Sequence, residues 1–238
     1  MVSFFGEVVF PSSRAFWDDD EEDGVIENST QPHFSVEWLK EGPPRMKVLL
    51  VVEGDILLDF TRQCLCPNPE EVCIIQDEKQ KKVSVIYHIN EDVYLCLISP
   101  HFNIKYSGIF IAAIADIITS AELTIPITCD HVSKFKSENP PGTPFLRMLY
   151  SKNAEKHCIL KAQLLEQPNI VYGVAAGVLS YAEFMKRPSV LYILYIDSFA
   201  LDSISAEPLL NLYTAMNCTP HEVSFVGKGF FNKGNLYM

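Results

Sequence analysis

Seven consecutive apolar residues, Val190 to Ile196, form the feature that most narrows the folds open to this chain. Tyr, Ile and Val dominate the run, which favours an extended strand, and its unbroken apolarity implies that both faces are buried. Met46 to Val52 reads the same way. Such strands belong at the centre of a sheet covered by helices on both sides, and the segments between them carry helical periodicity. Ile56, Phe60 and Cys64 recur every four residues behind Asp55, a candidate cap. Phe110, Ile114 and Ile117 or Ile118 share one face of a helix predicted from Ser107 to Thr119. A third helix runs from Gly173 to Lys186 and stops at Pro188, with Ala175-Ala176-Gly177 small enough for close approach to a sheet. Ser205 can cap a last helix to Met216. Further strands are predicted at Val72–Ile75, Val83–Ile89, Val93–Ser99 and Leu123–Cys129, with Asn90-Glu91-Asp92 as a hairpin turn. Strands alternating with helices predict a single α/β domain with a largely parallel central sheet flanked by helices.

That domain is expected over residues 45–217. Residues 1–10 read as an N-terminal strand or arm. Residues 11–44 read as an acidic linker with six consecutive acids, Asp18 to Asp23, and with Pro43-Pro44. Too little apolar surface is present there to offset the entropy of ordering, so disorder is expected. Residues 218–238 interleave glycine and lysine and read as a flexible tail. The formal net charge of −11 repels phosphate backbones and anionic lipid surfaces, so neither nucleic acid nor a membrane is an expected partner. The apolar stretch Gly108 to Ala115 meets Asp116 and is far too short to span a bilayer. Met1 to Glu7 has no basic segment of the kind that opens a signal peptide. The 7 cysteines are odd in number and several sit inside apolar runs, which fits buried free thiols in a reducing compartment. The cytoplasm is the expected location, with the nucleus as a second one.

Open α/β sheets bind ligands at the carboxyl ends of their strands. Cys129-Asp130-His131 follows one predicted strand, and Asp197 with Asp202 follows another. His131, Asp197 and Asp202 would be the acid–base groups of a hydrolase- or nucleosidase-like enzyme if they converged. The plainer alternative is that the acids cap turns, His131 satisfies a local backbone group and Cys129 is core. No nucleophile elbow, phosphate loop or dinucleotide fingerprint is present. Cys64-x-Cys66 with Cys73 lacks the second pair that a zinc site needs. No cofactor, metal or catalytic residue is therefore expected. Leu236-Tyr237-Met238 is different in kind. Leu and Tyr supply apolar area, Tyr loses few rotors on burial, and a terminal carboxylate can pair with a lysine inside a pocket.

Several motifs together carry a family resemblance. Phe4-Phe5-Gly6-Glu7-Val8-Val9 precedes the acidic linker. Thr128-Cys129-x-His131-Val132 is followed by Phe135-Lys136 and Pro144-Phe145-Leu146-Arg147. The densest stretch is Leu164-Leu165-Glu166-Gln167-Pro168-Asn169-Ile170-Val171, then Val178-Leu179-Ser180-Tyr181. Pro188, Leu191-Tyr192, Tyr195, Asp197, Leu201-Asp202, Ile204 and Glu207 continue the series. In order and spacing these residues resemble the proteasome assembly chaperone 1 family, most densely from Thr128 to Glu207.

The resemblance implies an α/β chaperone without enzymatic activity that pairs with proteasome assembly chaperone 2. The pair would gather proteasome α-subunits into the α-ring and keep rings from dimerising off-pathway. The family's C-terminal hydrophobic-Tyr-x element docks between α-subunits and maps here onto Leu236, Tyr237 and Met238. The chain is shorter than vertebrate members, with a reduced middle and tail. An apolar surface for the partner is expected from Phe102 to Phe110 or from Gly173 to Tyr181.

Overall fold

Residues 32–39, 42, 45–66, 70–198, 200–218 and 220–221 are described by the computed structural model. In chain order the strands are β1 (Ser35–Trp38), β2 (Met46–Val52), β3 (Glu70–Gln76), β4 (Lys82–His88) and β5 (Val93–Ile98). They continue with β6 (Ala121–His131), β7 (Phe145–Tyr150), β8 (Gln163–Leu164) and β9 (Val190–Ile196). The helices are α1 (Asp55–Leu65), α2 (Ser107–Ala113), α3 (Ala115–Ser120), α4 (Val174–Phe184) and α5 (Glu207–Ala215).

The strands form one sheet in the order β1-β3-β4-β5-β2-β6-β9-β7-β8. Its centre is parallel: β2 lies between β5 and β6, and β6 pairs with β9. The two apolar runs occupy that centre, the first broken only by the exposed Lys47 near its start. Every residue of β9 is buried, as is β2 from Leu49 to Val52. The wings turn antiparallel, through β3, β4 and β1 on one side and β7 on the other. The expected helix-flanked sheet with a parallel core is thus present.

Each central strand feeds two cores through the twofold alternation of its side chains. Leu50 and Val52 of β2, with Tyr192 and Leu194 of β9, pack under α1 and α5. Leu49 and Val51 pack instead with Phe110, Ile114, Ile118 and Val178 of the α2, α3 and α4 layer. On the first face a hydroxyl pair, Thr61 with Tyr213 at 2.7 Å, joins α1 to α5 where both residues are fully buried. On the second, Gly177 of α4 has Ile111 of α2 directly against the place a Cβ would occupy.

Four local readings change. Ser35–Trp38 falls inside the expected linker yet pairs antiparallel with β3. Its anchor is Phe34, 7% exposed, which packs edge-on against Phe110 at 5.6 Å and beside Phe102 at 6.0 Å. Val36 and Trp38 lie against the same core, so three apolar residues at alternate positions outweigh the polar average around them. At the other boundary Cys218 is buried and the His221 N–H reaches the Cys64 carbonyl at 3.0 Å, so the fold runs past 217. The helix expected from Ser107 to Thr119 breaks at Ile114 into α2 and α3 without losing its buried face. Finally, Gly54 and not Asp55 holds the N-cap of α1, and Asp202 accepts the Ser205 N–H ahead of α5 where Ser205 was the expected cap. The arm at 1–10, residues 11–31 of the linker and the tail end at Leu236-Tyr237-Met238 lie outside the described residues.

Candidate interaction site at the carboxyl end of the sheet

β2, β5, β6 and β9 all end on the same side, where a parallel sheet offers a ligand crevice. Glu53 follows β2, Asp130 and His131 close β6, and Asp197 follows β9. The N-terminus of α4 points its unpaired N–H groups at this crevice, the arrangement that commonly receives phosphate. Here the protein supplies its own anion. Glu53 Oε1 accepts from Val174 N at 3.0 Å and Oε2 from Ala175 N at 2.8 Å. Gly173 makes room by taking φ 93°, and a Cβ on it would meet Glu53 Oε1 at 2.6 Å. Burial raises the Glu53 pKa, and the two backbone hydrogen bonds pull it back only in part.

The hydrolase-like trio does not assemble. Strand pairing does bring His131 and Asp197 to one edge, since His131 sits opposite Ile196. Each side chain is engaged by a different partner, however. His131 Nδ1 accepts from Ser133 N at 3.2 Å, Asp197 Oδ2 accepts from the Thr143 hydroxyl at 2.7 Å, and Asp202 Oδ1 accepts from Ser205 N at 2.7 Å. Cys129 is no better placed as a nucleophile: burial, then the Asp130 charge, push its thiol up to about 12. Among the described residues no group of three metal-ligating side chains is arranged around a common point, and no helix is long and apolar enough to cross a membrane.

The motifs that carried the resemblance turn out to be one another's partners. Arg147 of β7, 5% exposed, is held between the rings of Phe135 and Phe145 at 5.0 and 4.8 Å. Its Nε donates to Glu166 Oε2 at 3.1 Å. Phe145 stacks on Tyr195 at 5.1 Å. Asn169 bonds both the N–H and the carbonyl of Lys136, at 2.7 and 2.9 Å. Four separate sequence segments thus meet in one cluster on β7 and β9.

Ile170 and Tyr172 emerge from that cluster to solvent, 82% and 58% exposed. Tyr172 is steadied at its hydroxyl, which accepts from Lys134 Nζ at 3.0 Å, and Lys134 in turn pairs with Asp130 at 2.7 Å. Behind them lies a cavity of about 90 Å³ floored by Cys129, Ile193 and Tyr195. Ile104 and Tyr106, 46% and 36% exposed, stand just before α2 and therefore at the same end of the sheet. Within the expected partner surfaces, Phe110, Val174, Ala175 and Val178 are core. Beside the crevice the exposed apolar residues lie in the approaches to α2 and α4, while on α4 itself Phe184 is exposed only at the far end of the helix. Helical periodicity could not reveal this, because the rim sits on loops.

These features define a class: a mixed α/β domain with a parallel centre, its crevice closed by an internal carboxylate and rimmed by apolar side chains. The family model described as proteasome assembly chaperone 4 matches residues 70–223, well over half of the chain. The chain belongs to the proteasome assembly chaperone family. It is 35% identical to human proteasome assembly chaperone 1 over 129 residues, covering 52% of this chain and 44% of the human protein. Against proteasome assembly chaperone 1 of Nematostella vectensis it is 28% identical over 238 residues, covering 87% and 92% of the two. The match thus spans less than half the length of the human relative. Among solved structures, Pyrococcus furiosus PbaA, an archaeal homolog of proteasome-assembly chaperone, superposes with a TM-score of 0.58 at 11% identity, over 81% of this chain and 89% of that one. Pyrococcus furiosus PbaB, an archaeal proteasome activator, gives 0.56 at 9% identity, over 81% and 91%. At such identities these two bear on the fold alone.

Proposed function

We propose that this chain is a stoichiometric chaperone of proteasome α-ring assembly, working as a heterodimer with proteasome assembly chaperone 2 and limiting off-pathway ring dimers. Family membership supports the assembly role. The observation that carries the binding mode is the strand-end surface: Glu53 fills the crevice where an α/β enzyme would hold substrate, and Ile104, Tyr106, Ile170 and Tyr172 expose apolar area beside it. Apolar and aromatic side chains that stay exposed at an ordered surface are what a protein partner desolvates. Leu236-Tyr237-Met238 supplies a second contact by entering a pocket between α-subunits. The proposal includes a cytoplasmic or nuclear location, with which seven free cysteines are compatible.

The test is removal of Leu236 to Met238 from the full chain, followed by co-purification of the chaperone pair with α-subunit intermediates. Recovery of α-subunits should fall while partner chaperone recovery is unchanged. Tyr237→Ala alone should weaken α-subunit binding by about 2 kcal/mol, the cost of truncating a buried aromatic anchor. Full recovery of α-subunits without the tripeptide would remove the tail from the docking scheme.

A further inference from the structure

The amino end of the sheet, away from the crevice, carries a second exposed apolar spot. Phe184 of α4 is 80% exposed, and Met185, which ends the helix, is 42% exposed. The helix period keeps Phe184 out of the core. Val174, Ala175, Val178 and Ala182 form the buried face of α4, and Phe184 stands two positions beyond Ala182, about 200° round the helix. The backbone beneath it is well held. The Arg187 N–H reaches the Ala182 carbonyl at 2.8 Å and the Lys186 N–H reaches the Glu183 carbonyl at 3.1 Å, a paired closure of the helix. From the short 3₁₀ helix Lys152–His157, the Lys152 N–H donates to Glu183 Oε2 at 2.7 Å and Asn153 Nδ2 to the Lys186 carbonyl at 2.6 Å. Arg187 Nη2 donates at 2.7 Å to the carbonyl of Ala121, the first residue of β6. Phe184 is therefore exposed on ordered backbone, not on a frayed end.

The charge around Phe184 runs against that of the chain. Residues 152–157 and 183–187 hold four cations, Lys152, Lys156, Lys186 and Arg187, against two carboxylates, Glu155 and Glu183, in a chain of formal net charge −11. Lys152, Lys156 and Lys186 are exposed and pair with no described carboxylate. Arg45 and Lys47, at the same end of the sheet, are matched by Glu122 at 2.8 Å and Asp92 at 2.6 Å. Lys186 also takes φ 56° where α4 closes, a left-handed conformation that glycine adopts with less strain. The helix dipole favours a cation near the end of α4, but it does not account for the two lysines that arrive from another segment. A lysine held where glycine would fit better is strain of the kind that binding surfaces keep.

We propose that Phe184 and Met185, ringed by Lys152, Lys156 and Lys186, form a docking surface for a proteasome α-subunit, which receives Phe184 in an apolar recess bordered by carboxylates. Charge argues for that chemistry: three unmatched ammonium groups around an aromatic side chain attract an acidic rim and disfavour a basic one. Position argues for the identity of the occupant. The described chain closes at the same end of the sheet, where the His221 N–H is held at 3.0 Å on the Cys64 carbonyl near the end of α1. The tail assigned to α-subunits therefore starts from the end that presents Phe184, while the rim of Ile104, Tyr106, Ile170 and Tyr172 lies at the other. An α-subunit engaged by the tail would have this surface as a second point of attachment, and linked contacts raise affinity beyond either alone. The inference rests on the assembly role proposed above.

The full chain, co-expressed with the partner chaperone, is used to recover purified α-subunits. Phe184→Glu should cut α-subunit recovery about tenfold, the loss expected at an aromatic anchor, with recovery of the partner chaperone unchanged. Its thermal midpoint should stay close to wild type, since the side chain is already exposed. Lys152→Glu combined with Lys186→Glu should cut recovery about fivefold, and high salt should weaken wild type more than this double variant. Lys186→Gly, which suits the left-handed backbone, should keep the fold and still lose part of the recovery. Undiminished α-subunit recovery by Phe184→Glu overturns this surface alone, whereas failure of wild type to recover α-subunits overturns the assembly role with it. Loss of the partner chaperone, or self-association of wild type that Phe184→Glu abolishes, would give the surface a different occupant and overturn the proposal as well.

Discussion

Glu53 shows how one side chain can close a site. Its two oxygens take the α4 N–H groups that would otherwise hold a ligand anion, and its surroundings are dry enough that burial raises its pKa. Glu53→Ala would leave the Val174 and Ala175 donors without their acceptor, at a cost of about 2 kcal/mol in urea unfolding. The pH dependence has a definite sign. A folded pKa above the ordinary 4.5 means that the native state binds its proton more tightly than the unfolded chain. That contribution is complete below 4.5 and is lost as pH rises through the folded value. Wild type should therefore gain stability relative to Glu53→Gln as the solution is acidified from neutral, measured as the difference between two urea titrations. A gap that moves the other way would mean that the helix N-terminus outweighs burial at this carboxylate. No local pattern marks Glu53 as special. It follows an apolar strand like any polar residue at a strand end, and its partner helix begins 121 residues later.

At the level of elements, α4 is the helix through which the second core is organised. It touches the sheet through Ala175, which packs with Leu191 and Ile193, and touches α2 through Gly177. Small residues from Ala175 to Gly177 predict close approach to a sheet. The tightest contact is with Ile111 Cδ1 of α2 instead. Gly177→Ala should cost about 1–3 kcal/mol by overpacking, in spite of the better helix propensity of alanine. Ile111→Val removes the offending Cδ1 and should recover part of that loss in the double variant. Thermal unfolding of the four proteins closes the cycle, and simple additivity would place the clash elsewhere. β7 illustrates the opposite difficulty. Its six residues FLRMLY carry a charge in the middle, and Arg147 breaks the apolar signal that exposed β2 and β9 so clearly. The strand accommodates it because Phe145 of the same strand and Phe135 and Glu166 from other segments receive the guanidinium. β1 was hidden for a related reason, its three alternate apolar residues being diluted by polar neighbours.

For the molecule as a whole, the proposed function assigns separable contributions to the exposed rim and to the tail. Ile170→Glu changes a residue that is 82% exposed, so the thermal midpoint should stay close to wild type. If the rim is a partner surface, the same substitution should weaken recovery of the partner chaperone or of α-subunits about tenfold in a pull-down, as expected for a hot-spot residue. Undiminished binding of both would make the rim incidental.

Several properties were determined by the sequence alone. Two apolar runs, Val48 to Val52 and Val190 to Ile196, required strands buried on both faces, helical periods between them required flanking helices, and the motif series around Thr128 to Glu207 pointed to the family. Those signals are local or additive along the chain, so one dimension suffices to read them. Only the tertiary structure decided that Glu53 fills the helix N-terminus, that His131, Asp197 and Asp202 each take a different partner, and that the family motifs interlock around Arg147. It also decided which apolar residues remain outside. The reason is physical: hydrogen bonding, charge pairing and exposure depend on distances between segments, up to 121 residues apart for Glu53 and Val174, and those distances exist only once the sheet has set its strand order.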